Sequence, residues 1–288
     1  MPPTNLLAGK TAIITGGTTG IGRAIALAFL AQGCDVVVNY LPPSSPSSSS
    51  DPNPNPDPDL TSLLSEAAAL QTSSSSPSQS RVIGRLAHHP GDVRSPTTGP
   101  ALVSFALSTF ASSRLDICVS NAGICTFADL LDDLDSDLFT NTVRTNLDGA
   151  FYVVQAAARQ MARHQTPPGG SIIGISSISA LVGGGRQVHY TPTKAGVLSL
   201  MQSCACALGR YNIRCNAILP GTVRTQLNEE DLADETKRGY MEGRIPLGRI
   251  GEPKDVAGPA VFLACEELSG YVTGAQVLVD GGLFVNLQ

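Results

Sequence analysis

The segment Thr11-Ala-Ile-Ile-Thr15-Gly16-Gly17-Thr18-Thr19-Gly20-Ile21-Gly22 constrains the fold of this 288-residue chain more than any other. A short β-branched run ends in a glycine-rich turn, and Ile21, Ile25, Ala28 and Phe29 follow with helical apolar spacing. Strand, glycine turn and helix make a cradle for phosphate. Glycines let the backbone turn tightly and approach a ligand, and the helix start presents free N–H groups and a positive dipole end. The spacing is G-x3-G-x-G rather than G-x-G-x-x-G, so the common dinucleotide fingerprint is not met letter by letter, and a glycine turn without a ligand is the competing reading. The rest of the chain continues the alternation. Strands are expected at 11–15, 35–39, 81–86, 115–119, 171–176, 213–219 and 276–279. Helices are expected at 20–32, 60–71, 98–112, 137–164, 188–211 and 253–266. This pattern predicts an α/β fold, a doubly wound parallel sheet covered on both faces in a single domain over residues 1–288. Such sheets bind ligands at the carboxyl ends of their strands.

Two stretches break the pattern. Residues 42–59 are almost purely Pro, Ser, Asn and Asp, and residues 72–80 form a Ser-rich loop. Neither holds enough apolar surface to offset the entropy of ordering. The insert reads as a tolerated surface loop, with a regulated segment, for instance a phosphorylated one, as the alternative.

Bulk properties exclude several classes of function. A net charge of −5 and a pI near 5.3 leave no basic stretch to displace phosphate counterions, so no nucleic-acid partner is expected. No apolar run approaches the ~20 residues of a membrane-spanning helix, and no basic segment followed by an apolar one opens the chain. A cytoplasmic location is the expectation. The seven cysteines show no C-x-x-C pair and read as reduced, packed thiols. The four histidines form no ligand cluster, with His88-His89 read as loop residues before Pro90, so no metal is expected. The helices at 137–164 and 188–211 are apolar around most of their circumference, which suggests burial against a second subunit as well as the sheet. A homodimer or homotetramer is expected.

Chemistry concentrates at Tyr190-Thr-Pro-Thr-Lys194, with Ser177 upstream. Residues i and i+4 share a helix face, with Cβ atoms about 5–6 Å apart. A free phenol ionises near pH ~10, and an adjacent ammonium lowers that value. The pair can act as a general base near neutral pH, with Ser177 hydrogen-bonding the reacting oxygen. Alone, the spacing is common, and its bland reading is a surface lysine beside a half-buried tyrosine.

Taken together, these motifs resemble the short-chain dehydrogenase/reductase family, whose fold is Rossmann-like. The family's T-G-x3-G-I-G pattern matches Thr15 to Gly22, and its N-A-G motif matches Asn121, Ala122 and Gly123. Its catalytic set matches Asn146, Ser177, Tyr190 and Lys194, and its P-G turn matches Pro220-Gly221. The resemblance implies an NAD(P) cofactor held by Gly16, Thr18, Thr19, Gly20, Ile21, Asn39, Asp92, Val93, Asn121, Ala122, Gly123, Tyr190, Lys194, Val223 and Thr225. It also implies that Tyr190 is the base, that Ser177 stabilises the reacting oxygen, and that Asn146 holds a water linking Lys194 to solvent. NAD and NADP are not distinguished. Val38-Asn39-Tyr40 carries no carboxylate for a ribose 2′-hydroxyl, and Thr18 and Thr19 stand where phosphate-preferring relatives often carry a basic residue. Within the family, the stretches 170–184, 189–196, 213–221, 228–232, 240–249 and the tail 279–288 resemble the fungal L-rhamnose 1-dehydrogenases. That likeness implies a sugar substrate, oxidised at C1 to the lactone. Arg186, Gln187 and His189 before Tyr190, and Asn228 to Asp231 in a lid after Pro220-Gly221, would suit a polyhydroxylated ligand. An NADPH-dependent 3-oxoacyl-carrier-protein-type reductase shares every catalytic motif and is the alternative enzyme. A non-catalytic nucleotide-binding regulator is the alternative of another class.

Overall fold

The structure, a computed structural model, describes residues 5–42, 57–73 and 82–286. Most of the Pro/Ser insert (43–56) and of the Ser-rich loop (74–80) lies outside the described residues, as do residue 81 and the two ends of the chain. Seven parallel strands form one sheet: β1 (Thr11–Thr15), β2 (Asp35–Tyr40), β3 (Leu86–Pro90), β4 (Ile117–Ser120), β5 (Gly170–Ile175), β6 (Ile213–Pro220) and β7 (Gln276–Val279). Their order is β3-β2-β1-β4-β5-β6-β7. The chain starts at β1, winds outward to β3, then returns to β4 and winds the other way. The winding reverses between β1 and β4, where a crevice opens at the strand ends.

Helices cover both faces: α1 (Gly20–Ala31), α2 (Pro58–Ser73), α3 (Thr98–Phe110), α4 (Ser136–Val143), α5 (Gly149–Arg163), α6 (Thr191–Leu208), α7 (Glu229–Ala233), α8 (Glu235–Arg244), α9 (Pro253–Ala264) and α10 (Glu266–Ser269). Strand side chains alternate between faces, and the core divides accordingly. Ile14, Val36, Val38 and Ile173 pack with Ile25 and Phe29 of α1 and with Val256 and Leu263 of α9. Ile13, Val37, Cys118 and Ile172 pack with Leu102 of α3, Val153 and Met161 of α5, and Met201 of α6. Strands buried on both sides need continuous apolar runs, and every residue of β1, β4 and β6 is buried. A small third cluster of Leu232, Ile245, Ile250 and Leu283, with Ile178 and Met241 against it, binds α7, α8 and the C-terminal segment to the loop after β5.

Two expectations are corrected. The third strand is Leu86–Pro90 rather than 81–86, so His88 and His89 are strand residues and not loop residues. The cause is Gly84, whose N–H donates to Leu30 O at 2.9 Å and whose Cβ, if present, would lie 1.7 Å from Cys34 O. The chain must cross beneath the start of β2 before it can pair. His89 then packs edge-on against Phe105, and Pro90 is tolerated because β3 is an edge strand. The helix expected over 137–164 is broken by a π-helical turn at Arg144–Asp148. After β6 the chain forms α7 and α8.

Replacing Gly84 with alanine should destabilise the fold by at least the ~1–3 kcal/mol typical of overpacking, since the obstacle is backbone. Denaturant unfolding of the purified variant measures this; an unchanged midpoint would mean that the β2–β3 crossing is looser than described.

Candidate active site

The glycine turn follows β1. Gly16 and Gly20 have φ of +59° and +50°, a left-handed conformation that favours glycine. A Cβ on Gly22 would sit 2.1 Å from Gly16 O, so the turn can close on α1 only without one. Helix α1 begins at Gly20 with no side-chain cap and no acidic residue in its first turn. Its leading N–H groups are thus left to an anion, as a phosphate-binding turn requires. Thr225 faces this turn, since a Cβ on Gly20 would meet its Cγ2 at 3.3 Å.

Asn121 locks the turn to the end of β4. Its Nδ2 donates to Thr15 O and Gly16 O, both at 2.9 Å, while the Asn121 and Ala122 N–H groups donate to Thr15 Oγ1 at 3.0 Å. Gly123 follows, where a Cβ would lie 3.3 Å from Lys194 Nζ and 3.2 Å from Asn146 Oδ1. The N-A-G run therefore lies directly against the Lys194 ammonium.

Tyr190 caps α6 and Lys194 is in its first turn. Pro192 suits that turn because it needs no N–H there. Lys194 is 5% exposed; its Nζ donates to Ile175 O at 3.1 Å and lies 5.5 Å from the Tyr190 ring centre. Ser176 Oγ donates to Lys194 O at 2.7 Å, fixing the helix start to the end of β5. Ser177, the next residue, accepts from Ser179 N at 3.1 Å and lies near enough to the Tyr190 phenol to favour its ionised form. Asn146 lies in the π-helical turn and is 1% exposed. It accepts from Ile124 N at 2.8 Å and donates to Ile124 O at 2.9 Å and to Thr193 Oγ1 at 3.2 Å. The extra residue of a π turn re-aims one side chain, and here that turn carries Asn146. Asn146, Ser177, and Tyr190 with Lys194 thus converge from three separate segments.

Ionisation differs from the sequence expectation. Burial drives the Tyr190 phenol above its ordinary value, with the nearby Cys125 thiol adding to the rise; Ser177 opposes both. Burial lowers Lys194 from near 10.5 to about 8, so it keeps its charge at neutral pH. Desolvation of the phenol dominates, so Tyr190 becomes a proton acceptor only as pH rises.

The remaining expected contacts divide. Thr18 lies in the glycine turn and Ile21 at the start of α1, while Val93 follows β3 and Val223 follows β6. Asn39 is sealed at 1% exposure, and its amide donates to His89 O and Gly91 O, bracing β2 against β3. The Asp92 carboxylate is paired with Arg94 at 2.6 Å and held below its usual range by it. Asn228, read as a lid residue for the sugar, instead caps the turn after β6. It accepts from Thr225 N at 3.0 Å and donates to Val223 O at 2.8 Å. His189 is fully enclosed. Thr15, Ser176 and Thr193 are site-building residues that the sequence reading passed over; only their adjacency to motif residues could have marked them.

Fold and site together define an oxidoreductase of the doubly wound α/β class. The chain matches the family model described as enoyl-(acyl carrier protein) reductase over residues 65–284. It is 55% identical over 285 residues to the L-rhamnose-1-dehydrogenase of Scheffersomyces stipitis, covering 99% of this chain and 100% of that protein. It is 49% identical over 283 residues to an L-rhamnose 1-dehydrogenase (NAD(P)(+)) of a Sphingomonas species, covering 98% and 99%. The structure superposes on a short-chain type dehydrogenase/reductase from Mycobacterium marinum with a TM-score of 0.80 at 32% identity, covering 96% of each chain. The chain belongs to the short-chain dehydrogenase/reductase family.

The buried ammonium makes stability depend on pH. Between about pH 8 and 10.5 the unfolded chain keeps a lysine proton that the folded chain has lost. The unfolded state then binds more protons, so this residue's contribution rises with pH; below that window the full cost of burial applies. The advantage of Lys194→Met over wild type in chemical denaturation should therefore shrink across the window. A pH-independent difference would show that the ammonium is not desolvated.

Proposed function

We propose that this protein oxidises the C1 hydroxyl of L-rhamnose to the lactone with NAD(P)+ as hydride acceptor. Identity of about half along nearly the whole length to enzymes of that name carries the substrate assignment. The convergence of Asn146, Ser177, Tyr190 and Lys194 supports the chemistry.

The glycine turn fits a pyrophosphate, by its uncapped helix start and its glycines with positive φ. Gly16, Thr18, Thr19, Gly20 and Ile21 would hold it. Asn39, Asp92 and Val93 would border the adenosine, Asn121 to Gly123 the ribose, and Val223 and Thr225 the nicotinamide side, with Tyr190 and Lys194 at the nicotinamide ribose. When bound, the nicotinamide supplies the acceptor for the C1 hydride. Tyr190 takes the hydroxyl proton, so that loss of hydride and proton together leaves a C1 carbonyl. Lys194 holds a positive charge beside the phenol, and Ser177 stabilises the developing carbonyl oxygen. Asn146 orders the backbone at Ile124 and would hold the water that connects Lys194 to solvent. Asn39 at the end of β2, without a carboxylate, is compatible with either nucleotide.

Association fits the outer faces of α5 and α6. Phe151 on α5 is 43% exposed and Cys206 on α6 is exposed, and a homodimer or homotetramer would cover them. Among the described residues no helix is long and apolar enough to cross a membrane, in keeping with a cytoplasmic enzyme. The described residues make up, in this reading, a single domain.

Cofactor reduction measured over aldoses with both nucleotides tests the assignment. L-rhamnose should be oxidised far better than D-glucose. Efficient reduction of acetoacetyl thioesters, with no reaction on L-rhamnose, would install the acyl-reductase reading instead. Tyr190→Phe should lose ~10²–10⁴-fold in kcat while binding nucleotide normally; retention of more than about a tenth of kcat would remove Tyr190 as the base.

A further inference from the structure

The glycine turn is braced by one side chain that the chemistry above does not use. Arg23, at the end of the first turn of α1, has a side chain only 18% exposed. Its Nη1 donates to Thr18 O in the glycine turn at 3.3 Å and to Asp59 O at the start of α2 at 3.1 Å. Its Nη2 donates to Ser62 Oγ at 2.8 Å and to Glu66 Oε1 at 2.9 Å, further along α2. The anchor is itself fixed. Leu63 and Ala67 of α2 are buried with Ile25 and Phe29 of α1, and Asp57 Oδ1 accepts from Asp59 N at 2.9 Å. A planar guanidinium can hold several acceptors in a set geometry, which a lysine ammonium cannot.

The Thr18 carbonyl is the acceptor that Gly22 N–H would meet if the ladder of α1 began one residue earlier. The ladder begins instead with Arg23 N donating to Thr19 O at 3.0 Å. Among the described residues the Gly22 N–H has no acceptor. A planar trans peptide points its C=O and its N–H in opposite directions. With the Thr18 carbonyl drawn toward α2, the Thr19 N–H points away from α2, and among the described residues it too has no acceptor. Free N–H groups at a helix start are the groups that bind a phosphate. One side chain thus decides which way the peptide after Thr18 faces and keeps the carbonyl from closing the helix start.

We infer that Arg23 is a positioning residue for the nucleotide diphosphate: it turns the Thr18–Thr19 peptide so that the N–H groups of the glycine turn face the ligand, and Ser62 and Glu66 of α2 hold it in that pose. Its part is to aim donors, and its charge is paired with Glu66. The inference rests on the nucleotide-binding part of the reading above, and the identity of the sugar does not enter it.

The test measures how ADP-ribose, which carries the diphosphate, and adenosine, which carries no phosphate, displace NADH from the full-length protein, read by NADH fluorescence without sugar. Arg23→Ala should bind ADP-ribose roughly 10- to 100-fold more weakly than wild type and adenosine within about three-fold of it. Arg23→Lys, which keeps the charge and loses the fork, should remain at least about five-fold weaker for ADP-ribose. The double variant Ser62→Ala/Glu66→Ala gives the sharpest contrast. It removes a negative charge, so plain electrostatics would tighten ADP-ribose binding; loss of the anchor should weaken it by roughly three- to ten-fold. Equal losses for ADP-ribose and adenosine in Arg23→Ala would mean a general loosening of the site and overturn the inference. Full recovery with lysine, or tighter ADP-ribose binding in the double variant, would show charge at work rather than position and overturn it as well. Should Arg23→Ala not fold, the sign of the change in the double variant decides alone. A wild type that binds no nucleotide overturns the nucleotide reading and this inference together; a wild type that binds nucleotide and oxidises no sugar overturns the sugar reading alone.

Discussion

The site depends on an ammonium held out of water. Lys194 is almost fully buried, and its Nζ donates to a strand-end carbonyl, Ile175 O. Burial alone would discharge a lysine. Here it lowers the group only to about 8, so the charge survives at neutral pH next to a phenol that burial holds neutral. Everything nearby serves that placement. Ser176 ties the helix to the strand, the Asn121–Gly123 run packs against the ammonium, and the π turn brings Asn146 behind it. A lysine on a solvated helix face with the same spacing would screen its field in water and shift nothing.

The sheet accounts for the rest of the geometry. Parallel strands bring β1, β4, β5 and β6 to one edge, and the loops after them carry the glycine turn, the N-A-G run, Ser177 and the lid. The residues that hold these loops are mostly hydroxyls and amides bonded to backbone: Thr15, Asn121, Asn146, Ser176 and Asn228. Loops so tied are preorganised, and the chemistry needs less rearrangement when substrate arrives.

Sequence pattern alone located β1 and β7 and placed Tyr190 and Lys194 together at the head of α6, because β-branched runs and i,i+4 spacing are direct images of local geometry. The start of β3 was not legible, since it depends on Gly84 meeting Cys34 O, a contact across fifty residues of chain. The π turn at Arg144–Asp148 was invisible because one extra residue barely disturbs helical apolar spacing over 137–164. Asn39, Asp92 and Asn228 were read as ligand contacts from position, and their identity fits that. Their side chains are nonetheless engaged with His89 and Gly91, with Arg94, and with Val223 and Thr225. Which partner wins a polar side chain is decided by tertiary distance, and sequence spacing does not encode it. The desolvation of Tyr190 was missed for the same reason.

The central claim is that hydride leaves C1 of the sugar while Tyr190 takes the hydroxyl proton. L-Rhamnose deuterated at C1 tests it most directly, with mass spectrometry of the reduced nucleotide and of the sugar product. The account predicts one deuterium on the reduced nucleotide, a lactone product without deuterium at C1, and a slower hydride-transfer step than with the protiated sugar. Deuterium retained on C1 of the product, or a reduced nucleotide without label, would contradict it.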